Sequence, residues 1–247
     1  ERQKGSRLVE PTLEGRAFLP MAEHLLSIWE EARAIPYREE HQVFRVSAVG
    51  SVSTYILAPV FRRFLQEGDS RLTFHYYHSA EAYGYIERGE LDLSFISDNR
   101  YSRQVETIPA FREPMLLVTR PDSSLPPQVH PSQLDGTREI RIHWNPEYDL
   151  WHSFWFGSSS APRIWCDQMS LMEEVIQWDD NWLIAPASVA HTLVRQNQAQ
   201  LHTLQNGPPN RIIYYLLGPR RKAAQTRHLL CLLQERLSQL DEITSLL

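Results

Sequence analysis

Cysteine is scarce: the chain has two, Cys166 and Cys231, far apart and with no Cys-x-x-Cys or Cys/His spacing around them. That excludes a disulfide framework and a structural zinc site, and it fits a reducing cytoplasm. No apolar run approaches the roughly 20 residues that a membrane-spanning helix needs. The opening ERQKGSRLVEPT also lacks the apolar centre of a secretion signal. A soluble cytoplasmic chain without a membrane partner is expected. A basic surplus is missing too. Lys and Arg number 25 against 30 Asp and Glu, a formal net charge of −5, whereas nucleic-acid binding draws on excess positive charge to neutralise phosphates. DNA contact would have to come from a local patch or from a segment outside these residues. Catalytic signatures are absent as well: no Gly-x-Ser-x-Gly elbow, no Gly-x-Gly-x-x-Gly after a strand, no phosphate loop and no His-Glu-x-x-His. Neither an enzyme nor a bound cofactor is expected.

The 247 residues are 42% hydrophobic and 22% charged, close to globular averages, and long enough for one bilobal unit or two compact domains. From Thr12 to Ala34 the apolar residues Phe18, Ala22, Leu25 and Trp29 recur at helical spacing, with Thr12 as a credible N-cap. Pro20 predicts a kink between Arg16 and Pro20. No second apolar segment follows closely to cover this stripe, so a second copy of the chain is expected on it, in a homodimer or homotetramer.

From Phe44 the pattern alternates between strand and helix. Strands are expected at Phe44 to Val49, Leu72 to Tyr77, Leu91 to Ile96 and Met115 to Thr119, with helices at Ser53 to Gln66 and Ala80 to Arg88. After a Pro-rich crossing, a second set follows. It has strands near Ile140 to His143, Arg163 to Cys166 and Trp182 to Ala185, and helices near Ser170 to Trp178 and Ala187 to Gln196. Such alternation argues for parallel sheets covered by helices. The turn signal NGPPN precedes a strand at Arg211 to Leu217 and a closing helix from Arg221 to about Leu240.

In chain order the motifs ERQKGSRLVEPTLEG, VFRVSAVGSVSTYILAPVFRRF, SAEAYGYIERGELDLSFI, REPMLLVTRPDSSL and WLIAPASVA together resemble those of LysR-type transcription regulators. Arg2, Arg7, Val9, Pro11, Thr12 and Gly15 match the end of that family's DNA-binding wing and the start of its linker helix, Pro11 standing where Leu is usual. The run VFRVSAVGSVSTYILAPVFRRF resembles the first sensor strand and helix, and SAEAYGYIERGELDLSFI the second helix and third strand. REPMLLVTRPDSSL and WLIAPASVA continue the likeness, although Asp179, Asp180, Asn181 and Trp182 replace the usual Gly-x-Gly before the last of these strands. The resemblance implies an α/β fold of two Rossmann-like lobes, like type 2 periplasmic binding proteins, preceded by a long linker helix. Residues 1–11 would close the wing, with Arg2 and Arg7 as DNA contacts, and residues 12–35 would form the dimerising linker. Residues 44–120 with 209–247 would form one regulatory lobe, and 121–208 the other. It further implies a bacterial chain whose partners are a small-molecule effector and promoter DNA, the latter through a head upstream of Glu1. A transporter's solute-binding protein shares the bilobal fold but has no use for a linker helix.

Candidate effector contacts follow from topology. Ser51, Ser53 and Thr54 open a helix after the first strand, where unpaired amides and a positive dipole end suit an anion. The carboxyl ends of strands are where such sheets bind ligands. Ser79 follows the second strand, and Asp98 and Asn99 the third; Asp98 and Asn99 also suit plain turns. Trp144, Asn145, Pro186 and Ser188 end strands of the second lobe. The expected ligand is a small anion held by Ser51, Ser53 and Ser79 on one side and Asn145 and Ser188 on the other, without a fixed cation. Trp144 and its neighbours also suit core volume. His143 and His152 lack acidic or cysteine partners at metal spacing, so no metal is expected.

Overall fold

The computed structural model describes residues 12–34, 43–157, 161–176, 180–196, 198–219 and 222–247. The chain divides into two compact units, residues 1–43 and 44–247. Arg2 and Arg7, the expected wing contacts, lie outside the described residues.

In the first unit, helix α1 (Leu13–Ala34) begins as its sequence suggests. The Thr12 hydroxyl accepts the Gly15 amide at 3.1 Å and its carbonyl accepts the Arg16 amide at 2.9 Å. The helix runs through Pro20. Phe18, Leu25 and Trp29 are 62, 64 and 61% exposed, and Leu19, Met21, Leu26 and Ile28 are exposed with them. Ala22 is half-buried.

The second unit contains two main sheets. Its strands and helices are β1 (Val43–Ala48), α2 (Gly50–Gln66), β2 (Arg71–Tyr76), α3 (Ser79–Arg88), β3 (Leu93–Ile96), β4 (Glu106–Glu113), β5 (Met115–Thr119) and β6 (Gln128–Val129). There follow β7 (Ile140–Arg141), α4 (Pro146–Phe156), β8 (Ile164–Trp165), α5 (Met169–Val175), β9 (Trp182–Pro186), α6 (Ala187–Arg195), β10 (Gln200–Leu204), β11 (Arg211–Leu217), α7 (Ala223–Leu237) and β12 (Thr244–Ser245). The first sheet has the order β12-β4-β11-β3-β1-β2, the second β6-β10-β5-β9, and β7 and β8 form a separate parallel pair. Strands β3 and β9 are buried at every position, as strands covered on both faces must be.

The sheets are mixed rather than parallel. β1 and β3 are parallel, as expected, but β11 runs antiparallel to both β3 and β4, and β5 runs antiparallel to β9 and β10. The strand β5, expected with the first sheet, pairs in the second. Pro114, which has no amide hydrogen to extend a ladder, separates it from β4, and there the chain crosses over. It crosses back through residues 205–210 into β11.

Separate apolar cores back the two sheets. Phe44, Val46, Ile56, Leu57, Phe64 and Leu93 belong to the first, and Leu117, Trp144, Tyr148, Met172, Ile184 and Leu193 to the second. Tyr55 is an exception. It is carried by α2 yet packs into the second core. It lies in a π-helical turn, Ser53–Leu57, between the α-helical stretches Gly50–Val52 and Ala58–Gln66. Such turns are rare and cluster at functional sites.

Candidate functional site

A cavity of about 270 Å³ opens between the sheets. Val49, Gly50 and Ser51 reach it from the start of α2, Tyr76, His78 and Ser79 from the turn after β2, and Ser97, Asp98 and Arg100 from the loop after β3. The other wall is made by Ile142, His143, Trp144 and Asn145, with Asp167 and Met169 at one edge and Arg211 at the back. The expected rim residues Ser51, Ser79, Trp144 and Asn145 therefore meet in one place. Ser53 and Thr54 line an adjoining cavity of about 430 Å³, which shares Gly50, Tyr76, Asp167 and Met169 with the first.

Three expected contacts lie elsewhere. Asn99 is exposed and off the lining. Pro186 and Ser188 sit behind the cavity, in the link from β9 to α6. The Ser188 amide is engaged there, donating to the Glu113 carboxylate at 2.9 Å.

The sequence reading missed the most consequential group. Arg211 is 1% exposed and paired with Glu113, itself fully buried, through bonds of 2.6 and 3.2 Å. These residues are register partners where the chain leaves and re-enters the first sheet. Nη1 of Arg211 donates to the Ser51 hydroxyl at 2.9 Å, and the guanidinium lies 5.3 Å from the centre of the Trp144 ring. The cleft thus has a fixed cation, contrary to expectation. An arginine opening a strand signals nothing in sequence; its role comes from Glu113, 98 residues away.

The hydrogen bonding gives the cavity a direction. Ser51 accepts from Arg211, Ser79 accepts the Ser97 amide at 3.3 Å, and Asn145 caps α4 by accepting the Tyr148 amide at 2.9 Å. All three side chains are more than nine-tenths buried. With their oxygens engaged inside the protein, the two hydroxyls and the Asn145 amide nitrogen are left to donate, and none of these donors has a partner among the described residues. Donors facing a cavity suit an acceptor-rich ligand. The helices α2, α3 and α4 also begin at this cavity, adding three positive dipole ends.

Backbone space is tight where α2 starts. A Cβ on Gly50 would lie 3.2 Å from the Tyr76 ring, so glycine permits the ring's approach. Burial, with the charges of Asp167 and Glu81 added, pushes the Tyr76 phenol above its ordinary value. Deeper along α2, Ser53 donates to the Gly50 carbonyl at 2.8 Å, and the Tyr55 hydroxyl donates to the Glu173 carboxylate of α5, joining the two sides. His143 and His152 each take a carboxylate, Asp149 at 2.5 Å and Glu139 at 2.7 Å. No group of three or more His, Cys, Asp or Glu that could hold a metal ion occurs among the described residues, and no helix among them is long and apolar enough to cross a membrane.

Two α/β layers around a polar cleft define a ligand-binding domain of the type 2 periplasmic-binding-protein kind. The family model for the LysR substrate binding domain matches residues 38–238, and the chain belongs to that family. It is 23% identical over 155 residues to the HTH-type transcriptional regulator CitR of Bacillus subtilis (strain 168), covering 59% of this chain and 52% of CitR. The chain thus spans about half the length of this curated relative. Among solved structures, full-length BenM, as a mutant, matches with a TM-score of 0.67 at 16% identity, covering 96% of this chain and 82% of that one. The regulatory domain of MetR, a LysR family regulator from N. meningitidis, matches at 0.66 and 13% identity, covering 83% and 98%. Full-length OxyR from Pseudomonas aeruginosa, also a mutant, matches at 0.63 and 13%, covering 94% and 83%.

Proposed function

We propose that this chain is the effector-sensing part of a LysR-type transcription regulator and that its effector is a small anionic metabolite held in the 270 Å³ cavity. The observation that carries the ligand class is the set of buried donors. Ser51, Ser79 and Asn145 each accept one hydrogen bond within the protein and keep a donor free, with Arg211 behind them. A carboxylate supplies the acceptors that these groups lack, whereas a ligand rich in donors would leave them unpaired.

The reading places the whole protein in the cytoplasm as a homodimer or homotetramer that meets promoter DNA through a helix-turn-helix head, as the name of its relative CitR suggests. The exposed Phe18, Leu25 and Trp29 of α1 are the proposed self-association face. Signalling follows from connectivity. Ligand bonds to Ser51 bear on Arg211, Arg211 on Glu113, and Glu113 on the first turn of α6 through Ser188. A ligand that binds one arrangement of the two sheets more tightly would shift the population toward it. No catalytic step belongs to this reading.

Thermal-shift screening of the chain against metabolite carboxylates and neutral metabolites of similar size tests it. The expected hits are carboxylates, and their stabilisation should shrink in Ser51→Ala. Hits confined to neutral molecules would overturn the ligand class.

A further inference from the structure

The cleft is electrically uneven along its length. At the end formed by Ser51, Ser79 and Asn145 stand the Arg211 guanidinium and three helix N-termini. The two carboxylates bordering that cavity are Asp98, paired with Arg100 at 2.8 Å, and Asp167 at its edge. The adjoining 430 Å³ cavity has the opposite character, for its lining includes two carboxylates, Asp167 and Glu173, and no lysine or arginine. Glu173 takes the Tyr55 hydroxyl, whereas Asp167 has no ion-pair or hydrogen-bond partner among the described residues. Asp167 borders both cavities, as does Tyr76. A carboxylate without a cation beside an aromatic ring is the pairing that recognises an ammonium, through charge on one side and the ring quadrupole on the other.

Resting on the anionic-effector reading, we propose that the effector also carries a cationic nitrogen, as an amino acid does. Its carboxylate lies against Ser51, Ser79 and Asn145, its ammonium against Asp167 and Tyr76, and its side chain extends into the cavity bordered by Ser53 and Thr54. Asp167 is thus the specificity-determining residue. It leaves the cation of a zwitterion paired, and it repels the second negative charge of a dicarboxylate that reaches this end.

The test is calorimetric titration of the 247-residue chain with the common L-amino acids and, in parallel, with the same acids lacking the α-amine. At least one amino acid should bind 10-fold or more tightly than its deaminated counterpart. Asp167→Asn should bring that pair to within about twofold of each other, and Asp167→Glu should restore most of the preference. Circular dichroism of both variants checks that they fold. Deaminated acids binding as tightly as amino acids would overturn the inference while leaving the anionic reading standing, and so would a preference that survives in Asp167→Asn. Binding of neither series would overturn both.

Discussion

Two buried carboxyl groups, Glu113 and Glu139, each bound to a nitrogen side chain, sit in the second unit and do different things. Glu113 and Arg211 are at most 1% exposed, and Glu139 and His152 are fully buried. The second pair lies within one layer: Glu139 meets His152 at 2.7 Å and accepts the Tyr148 hydroxyl at 3.4 Å, and both partners belong to α4. The first joins strands at the chain crossings, touches the cavity through Ser51 and Trp144, and holds the start of α6 through Ser188. Burial alone therefore does not mark a functional charge. What separates the pairs is what each touches beyond its partner.

The largest expected effect comes from removing Arg211, because the buried Glu113 carboxylate left without its partner costs about 3–5 kcal/mol. Arg211→Met should lower stability by that amount in urea melts, and His152→Phe, which leaves the buried Glu139 carboxyl a hydrogen bond short, by about 1–3 kcal/mol. Binding should then divide them. The double variant Glu113→Gln/Arg211→Met should regain most of the stability yet lose ligand binding, since the cavity has lost its cation and Ser51 its donor. In Glu139→Gln/His152→Phe, ligand affinity should stay within about twofold of wild type. Equal losses of binding in the two doubles would erase the distinction.

A smaller contrast lies within one turn of α2. Ser51→Ala removes a donor to a charged ligand, worth about 1.5–3 kcal/mol, and calorimetry should show affinity falling by at least about 10-fold. Ser53 spends its hydroxyl on the Gly50 carbonyl, so Ser53→Ala should change affinity less than threefold.

The smallest effect concerns alkaline pH. Burial first, then the Glu139 charge, pushes the Tyr148 phenol well above its ordinary value. A group protonated in the folded state and ionised in the unfolded one contributes stability that is full below the unfolded value, near 10, and is lost as pH rises above it. Wild type should therefore lose stability relative to Tyr148→Phe by up to about 1.4 kcal/mol per unit above pH 10. Urea melts from pH 9 to 11 measure this, and parallel curves would contradict it.

Much of this architecture is legible without coordinates, because local rules dictate it. Thr12 caps α1 as its side chain and position suggest, and the β1-α2-β2-α3-β3 succession follows from strand and helix periods. Ser51, Ser79, Trp144 and Asn145 converge because each ends a strand or opens a helix at one rim. What escaped depends on distant partners. The strand β4 has mixed polarity, with Glu106, Arg112 and Glu113 in it, and reads as a strand only once β11 is beside it. The tryptophan-rich α4 shows little one-sided patterning, although Asn145 and Pro146 are a cap and first-turn signature that could have found it. The Glu113–Arg211 pair spans 98 positions and carries no local signal.

The anion site is defined by a cavity whose buried groups donate. Calorimetry with wild-type chain, using a stabilising carboxylate from the thermal screen and its primary amide of nearly equal size, measures that property alone. The acid should bind at least about 10-fold more tightly, the worth of one charge-assisted hydrogen bond. An amide that binds as tightly as the acid would show that Ser51, Ser79, Asn145 and Arg211 do not form an anion site.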